Sequence, residues 1–159
     1  MKHLPKHLQP RYRYLAVGLE TWPDADLDRG AFQRAAWTAA RTLLGDVGSA
    51  ELDLAVLSFE YGGGEGEAVV RTRRAEVDRA RAVLACIDAV GGSPVGLRVR
   101  GVSGTVRACK DKYLGRRREE TSQRHVVFEN AERRAAVRGE RVDVSVDGAF
   151  AGATHLDLQ

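Results

Sequence analysis

Residues 52–73 read LDLAVLSFEYGGGEGEAVVRTR, two runs rich in aliphatic, β-branched and aromatic residues on either side of a glycine-laden tract. Leu52 to Tyr61 and Glu67 to Arg73 therefore read as two antiparallel strands, joined as a flexible hairpin by Gly62-Gly63-Gly64-Glu65-Gly66. Each flank of this hairpin carries a helix. Upstream, Asp28 is placed to cap a helix whose Phe32, Ala36, Ala39, Ala40 and Leu43 recur at helical spacing until Gly45, with Gly45 to Asp53 left as a loop. Downstream, a helix from Glu76 sets Val77, Ala80, Leu84 and Ile87 on one stripe, widened by Val83, Cys86 and Val90, and Gly91-Gly92 closes it.

A strand lies beyond each helix. Arg11 to Glu20 alternates, with Leu15, Val17 and Leu19 on one face and Tyr12, Tyr14, Ala16 and Gly18 on the other. Pro94 opens the last strand of the set, which runs through Ser103, and a third helix follows from about Thr105 to Gly115. The order strand, helix, strand, strand, helix, strand predicts an α+β fold: the ferredoxin-like or RRM-like split βαβ, with two helices on one face of an antiparallel sheet and the other face open. Residues 1–115 form this domain. The tract Arg116-Arg117-Arg118 into Glu119 to Gln123 is polar, without helical or strand period, and reads as a linker. Val126, Val127 and Phe128, then Val142, Val144 and Val146 in alternation with Asp143, Ser145 and Asp147, predict a β-rich C-terminal extension over 116–159, packed on the same domain.

With 159 residues, 43% hydrophobic and 30% charged, the chain is long enough for a core and too apolar to be wholly disordered. Cys86 and Cys109 stand in apolar helical contexts and cannot build a disulfide framework, so both are expected to be buried in a reducing compartment. No stretch approaches the roughly 20 apolar residues of a membrane span, and no apolar leader is legible at the start, so a soluble cytoplasmic protein is expected.

Net charge is +3, unevenly spread: residues 67–118 carry thirteen cations against five anions, whereas residues 21–66 sum to −5 and residues 119–159 to −3. All but Lys2, Lys6, Lys110 and Lys112 of the 25 Lys and Arg residues are arginine, whose planar fork suits phosphate. A basic middle of this kind attracts a polyanion, and nucleic acid is the natural partner. The acidic segment Asp24 to Glu65 would be kept from RNA by like-charge repulsion and is free to meet a protein partner.

Side-chain catalysis has little support. His3, His7, His125 and His155 are scattered, neither cysteine has a CxxC partner, and the glycine run joins two strands rather than opening a helix as a dinucleotide loop must. Asp24, Asp26 and Asp28 are the one carboxylate set that a metal-dependent nuclease could use, and a turn plus helix cap explains them better. The strongest signal is Val99-Arg100-Gly101-Val102-Ser103-Gly104-Thr105-Val106-Arg107. There a strand ends and a helix begins, so first-turn amides, two hydroxyls and cations converge in a site for anions. The candidate RNA-contacting residues are Arg71, Arg73, Arg74, Arg98, Arg100, Ser103, Gly104, Thr105, Arg107, Lys110 and Lys112, with no catalytic or metal-ligating residue among them. The third strand lacks the aromatic platform of base-stacking domains, so contacts to a folded RNA backbone, or to protein, fit better than single-strand reading. A ferredoxin-like protein-interaction or ligand-binding module without RNA function is the alternative from another class.

The opening Met1-Lys2-His3-Leu4-Pro5-Lys6-His7-Leu8 with Arg11-Tyr12-Arg13-Tyr14-Leu15, the Gly101-Val102-Ser103-Gly104-Thr105-Val106-Arg107 junction and Lys112-Tyr113-Leu114 resemble the archaeal ribonuclease P protein component 2 family. The resemblance runs from residue 1 to about 115. It implies a protein subunit of the ribonucleoprotein that removes the 5′ leader from precursor tRNA, with hydrolysis by the RNA and its Mg²⁺, and no cofactor on the protein. It also implies work as a pair with component 3, among other ribonuclease P proteins, and leaves a homodimer within the complex open. Many relatives end near Gly115, so the extension inherits no role.

Overall fold

The computed structural model describes residues 4–115 and 120–158 and divides the chain into two compact units. One holds residues 1–21 and 26–116, the other residues 22–25 and 117–159. His3 and the tract 116–119, half of the expected linker, fall outside the described residues, and Ser122 and Gln123 of its other half begin a strand instead.

The first unit is a five-stranded antiparallel sheet carrying three helices. In chain order it contains β1 (Tyr12–Thr21), α1 (Arg29–Leu52), β2 (Ala55–Gly62), β3 (Glu65–Arg73), α2 (Val77–Ala85), β4 (Ala89–Val90), β5 (Ser93–Ser103) and α3 (Val106–Tyr113). The strand order β2-β3-β1-β5-β4 puts β3 between β1 and β2, and β1 between β3 and β5, as the split βαβ requires. Alternation sends Leu15, Val17 and Leu19 of β1, Val56 of β2 and Ala68 and Val70 of β3 to one face. There they meet Phe32, Ala36, Ala40 and Leu52 of α1 and Ala80, Val83 and Leu84 of α2 in the main core. As expected, Asp28 caps α1, its side chain accepting from the Ala31 amide at 2.8 Å.

Several boundaries differ from the sequence expectation. Gly45 bends α1 instead of ending it: its φ of 71° and ψ of −179° break the turn, and the helix resumes to Leu52. Gly48 accounts for the continuation, because a β-carbon there would collide with Leu44 and the Arg79 guanidinium, so its bare backbone lets the second segment pack closely. The tract after Gly45 is thus about two further turns of helix with Asp53 as its left-handed cap, and β2 starts at Ala55. The glycine tract contracts to a two-residue turn at Gly63-Gly64, both at positive φ, as a tight hairpin demands.

Likewise, α2 ends at Ala85, and Gly91-Gly92 turns the short hairpin of β4 with β5 rather than closing a helix. That early end takes Cys86 off the buried stripe, so the Cys86 side chain is exposed while Cys109 is buried. A bulge between Ala16 and Val17 resets β5, so that Val102 rejoins Val99 on the core side. The outer margin of β2 is occupied: Gln33 accepts from the Val56 amide at 2.7 Å, Trp37 donates to the Leu54 carbonyl at 2.9 Å and Arg29 to that of Val56 at 2.9 Å.

The second unit contains a four-stranded meander, β6 (Ser122–Phe128), β7 (Ala131–Arg138), β8 (Arg141–Val146) and β9 (Ala149–Thr154), in the order β6-β7-β8-β9. Ala135, Val137, Val142 and Val144 make its core, and Arg138 and Asp143 form a buried ion pair at 2.6 Å. Trp22 stacks on Phe150 with centroids 6.0 Å apart.

Candidate nucleic-acid interface

The sheet face opposite α1 and α2 is not bare. α3 lies on it, burying Cys109 against Ala16 and Val69, with Tyr14, Val106, Tyr113 and Leu114 around them. Burial pushes the Cys109 thiol above its usual range. Gly101 permits this seating, because a β-carbon at that position would fall inside the Tyr113 ring. The expectation of a wholly open face therefore fails in its centre, and the residues around α3 form the usable surface.

Strand register sorts those residues into cross-strand rows. Arg73 lies opposite Tyr12; Arg71 lies opposite Tyr14, which lies opposite Ser103. Val69, Ala16 and Gly101 form the next row, under α3. Beyond it come Glu60, Glu67, Gly18 and Arg98, then Glu65, Glu20 and Gly96. From Tyr12 to Gly18 is six residues of extended chain, on the order of 20 Å.

The candidate residues thus separate into two groups. At the Tyr12 end stand Arg71, Arg73 and Arg74, with Ser103, Gly104 and Thr105 leading into α3. Thr105 caps α3, its hydroxyl accepting from the Ala108 amide at 3.1 Å, which aims the first turn of the helix out of the strand end. Arg107 is 93% exposed and pairs loosely with Asp111 at 3.7 Å. Lys110 and Lys112 are exposed on the same helix, and the Lys112 ammonium lies 5.2 Å from the Tyr113 ring centroid. Arg98 and Arg100 occupy the other end, beside Glu20, Glu60, Glu65 and Glu67. Arg100 is paired with Glu67 at 2.5 Å, and the second oxygen of that carboxylate accepts from the Gly115 amide at 3.0 Å. The sequence expectation grouped these two arginines with the α3 start because they precede it in the chain; the bulge and the return of α3 across the sheet separate them.

Sequence reading missed two members of the basic end. Arg11 joins Arg73, Arg74 and Ala75 around a hollow of about 440 Å³, and its carbonyl accepts from the Arg74 amide at 2.8 Å. Asp53, assigned to a loop, reaches the same end: the Tyr12 hydroxyl donates to it at 2.9 Å, and Arg71 and Arg73 approach it at 3.6 and 3.8 Å. The hydrogen bond to this carboxylate, with burial and its negative charge, raises the Tyr12 pKa above the usual phenol value. The arginine of the Arg11-Tyr12-Arg13-Tyr14 alternation was legible; the αL cap that brings Asp53 in was not.

Elsewhere, a groove of about 460 Å³ runs between α1 and the turn after α2, lined by Ala31, Ala35, Ala39, Leu43, Cys86 and Ile87 among others. Among the described residues, no three His, Cys, Asp or Glu side chains are grouped to hold a metal ion, and no helix is long and apolar enough to cross a membrane.

Comparison with known proteins places this geometry. The family model of the Rpp14/Pop5 family matches residues 13–114, which include all of the first unit's sheet but Tyr12, and α3. Ribonuclease P protein component 2 of Halorubrum lacusprofundi is 59% identical over 159 residues, covering all of both chains. That of Natronomonas pharaonis is 60% identical over 159 residues, 100% of this chain and 99% of its own. The Methanosarcina mazei protein of the same name is 35% identical over 114 residues, 72% of this chain but 93% of its own, so that relative has little beyond the shared part. The chain belongs to the Rpp14/Pop5 family, among the archaeal proteins called ribonuclease P protein component 2.

Proposed function

We propose that this chain is a protein subunit of ribonuclease P, and that it binds and supports the catalytic RNA through the basic end of its sheet. The observation that carries the site is the convergence there of Arg71, Arg73, Arg74 and Arg11 with Ser103 and the Thr105-capped start of α3. Guanidinium groups, a hydroxyl and first-turn amides all recognise phosphate oxygens; Tyr12 and Tyr14 share these rows, but the Arg71 guanidinium lies over the Tyr12 ring and Tyr14 packs beside Cys109 of α3. The surface is thus suited to the backbone of a folded RNA.

In this reading the endonucleolytic removal of the 5′ leader of precursor tRNA is chemistry of the RNA and its Mg²⁺. This chain contributes no side chain to hydrolysis and holds no cofactor. Arg107, Lys110 and Lys112 extend the contact along α3, whereas Arg98 and Arg100 are peripheral because Glu60 and Glu67 share the row of Arg98 and Glu67 pairs with Arg100. Component 3 and other proteins of the particle would take the α1 side, where the groove mixes alanines, Leu43 and Ile87 with Arg34, Thr38, Thr42 and Asp88. Such a particle works in the cytoplasm.

The test is RNA binding against salt. Replacing Arg107 and Lys110 together by alanine should lower affinity for structured RNA and reduce the slope of log K against log salt by roughly 0.7–0.9 for every phosphate no longer engaged. An unchanged slope would remove α3 from the interface. Retrieval of the tagged chain from its own cells without ribonuclease P RNA would dismiss the subunit reading and favour a protein-docking module.

A further inference from the structure

Asp53 closes α1 in the left-handed conformation, at φ 49°, and directs its carboxylate back over the sheet. One carboxylate there faces two guanidinium groups, those of Arg71 and Arg73, and the Arg71 group also lies over the Tyr12 ring, 4.3 Å from its centroid. Separations of 3.6 and 3.8 Å balance charge but exceed hydrogen-bond length. The Nε atoms of both arginines are buried with no hydrogen-bond partner. Arg11 and Arg74 add two further positive charges around the adjoining hollow. The cluster is left with excess positive charge and unfilled donors.

The elements below Asp53 hold it in place. The bend at Gly45 and the close packing of Gly48 bring the last turns of α1 against α2, and Arg79 secures them by bonding Glu51 and Glu76, each at 2.9 Å. A tetrahedral anion with several acceptor oxygens would fill this seat better than a flat carboxylate anchored at one end.

We propose that Asp53 occupies, in the free protein, the seat of an RNA backbone phosphate between Arg71 and Arg73, so that RNA binding exchanges an internal anion for an external one. The inference rests on the reading of the chain as an RNA-binding subunit and adds an element of selectivity to it. A ligand must bring several phosphates, spanning Arg11 and Arg74 as well, to outcompete the tethered carboxylate.

The experiment compares the full chain with its Asp53→Asn variant in binding a fluorescent structured RNA over a range of salt concentrations. Asparagine also adopts the left-handed conformation, and its amide oxygen still accepts from Tyr12, so the fold is kept. Asp46→Asn, an exposed position on the same helical segment, makes the same change in net charge away from the cluster. Asp53→Asn should bind about tenfold more tightly, the effect of removing one unit charge a few ångströms from the phosphate in a partly screened setting. Its salt slope should steepen by roughly 0.7–0.9. Asp46→Asn should change affinity less than about twofold and leave the slope alone. Equal behaviour of the two variants overturns the proposal, and so does weaker binding by Asp53→Asn, which would make Asp53 merely a brace for the arginines. Failure of the unmutated chain to bind RNA at all would instead refute the function on which this inference depends.

Discussion

Gly101→Ala tests whether the seating of α3 governs the interface. The added methyl would stand closer than 3.0 Å to three carbons of the Tyr113 ring, where carbon atoms rest at about 3.5–4.0 Å. Either the ring swings away, exposing surface now shared with Gly101, or α3 lifts from Ala16 and Val69. Overpacking of this kind costs about 1–3 kcal/mol, and a central value of about 2 kcal/mol lowers the melting temperature by roughly 4–8 °C. Tyr113→Ala alone should cost about 2 kcal/mol for a ring that is only part-buried. If the collision is the cause, the double variant costs no more than Tyr113→Ala, leaving a coupling of about 2 kcal/mol in the mutant cycle. Denaturant unfolding followed by circular dichroism measures all four proteins. Additive losses would refute the steric argument, and an RNA affinity untouched by Gly101→Ala would detach α3 placement from binding.

Two other outcomes can be checked on the unmodified chain and one variant. Maleimide should label Cys86 within minutes under native conditions and Cys109 only after unfolding, because Cys109 is fully buried and its thiol is held protonated; mass spectrometry of the peptides reads the order. Since the Tyr12 pKa is raised in the folded state, its bond to Asp53 contributes stability in full below the unfolded phenol value of about 10 and loses it as pH rises through the folded value. The melting temperature of the chain should therefore exceed that of Tyr12→Phe by a constant margin up to about pH 9, and the two should converge above that.

The βαββαβ order was legible because each element has its own period. Leu15, Val17 and Leu19 alternate, Phe32, Ala36 and Ala40 recur every fourth residue, and glycines mark the turns. Gly45 and Gly91-Gly92 were misread for a common reason. A glycine announces an unusual backbone angle, but whether the chain then stops, bends or turns back depends on what packs beside it, and Gly48 against Leu44 and Arg79 is a tertiary fact. The start of α3 was visible in Ser103-Gly104-Thr105, as was the basic character of Arg71, Arg73 and Arg74. Their partition from Arg98 and Arg100 was not, since it follows from a one-residue bulge and from cross-strand neighbours distant in the chain. Cys86 was misplaced by a single turn of helix that the structure does not form.

The occupied margin of β2 has a consequence for how this protein survives before it meets its partners. A row of unspent amides and carbonyls is what lets one molecule zip onto the next and grow into insoluble polymer. By lending Gln33, Trp37 and Arg29 to that row, α1 withholds the template from stray chains at the strand's start. The stretch from Leu54 to Val56, where β2 begins, is thereby closed to strand addition by another molecule.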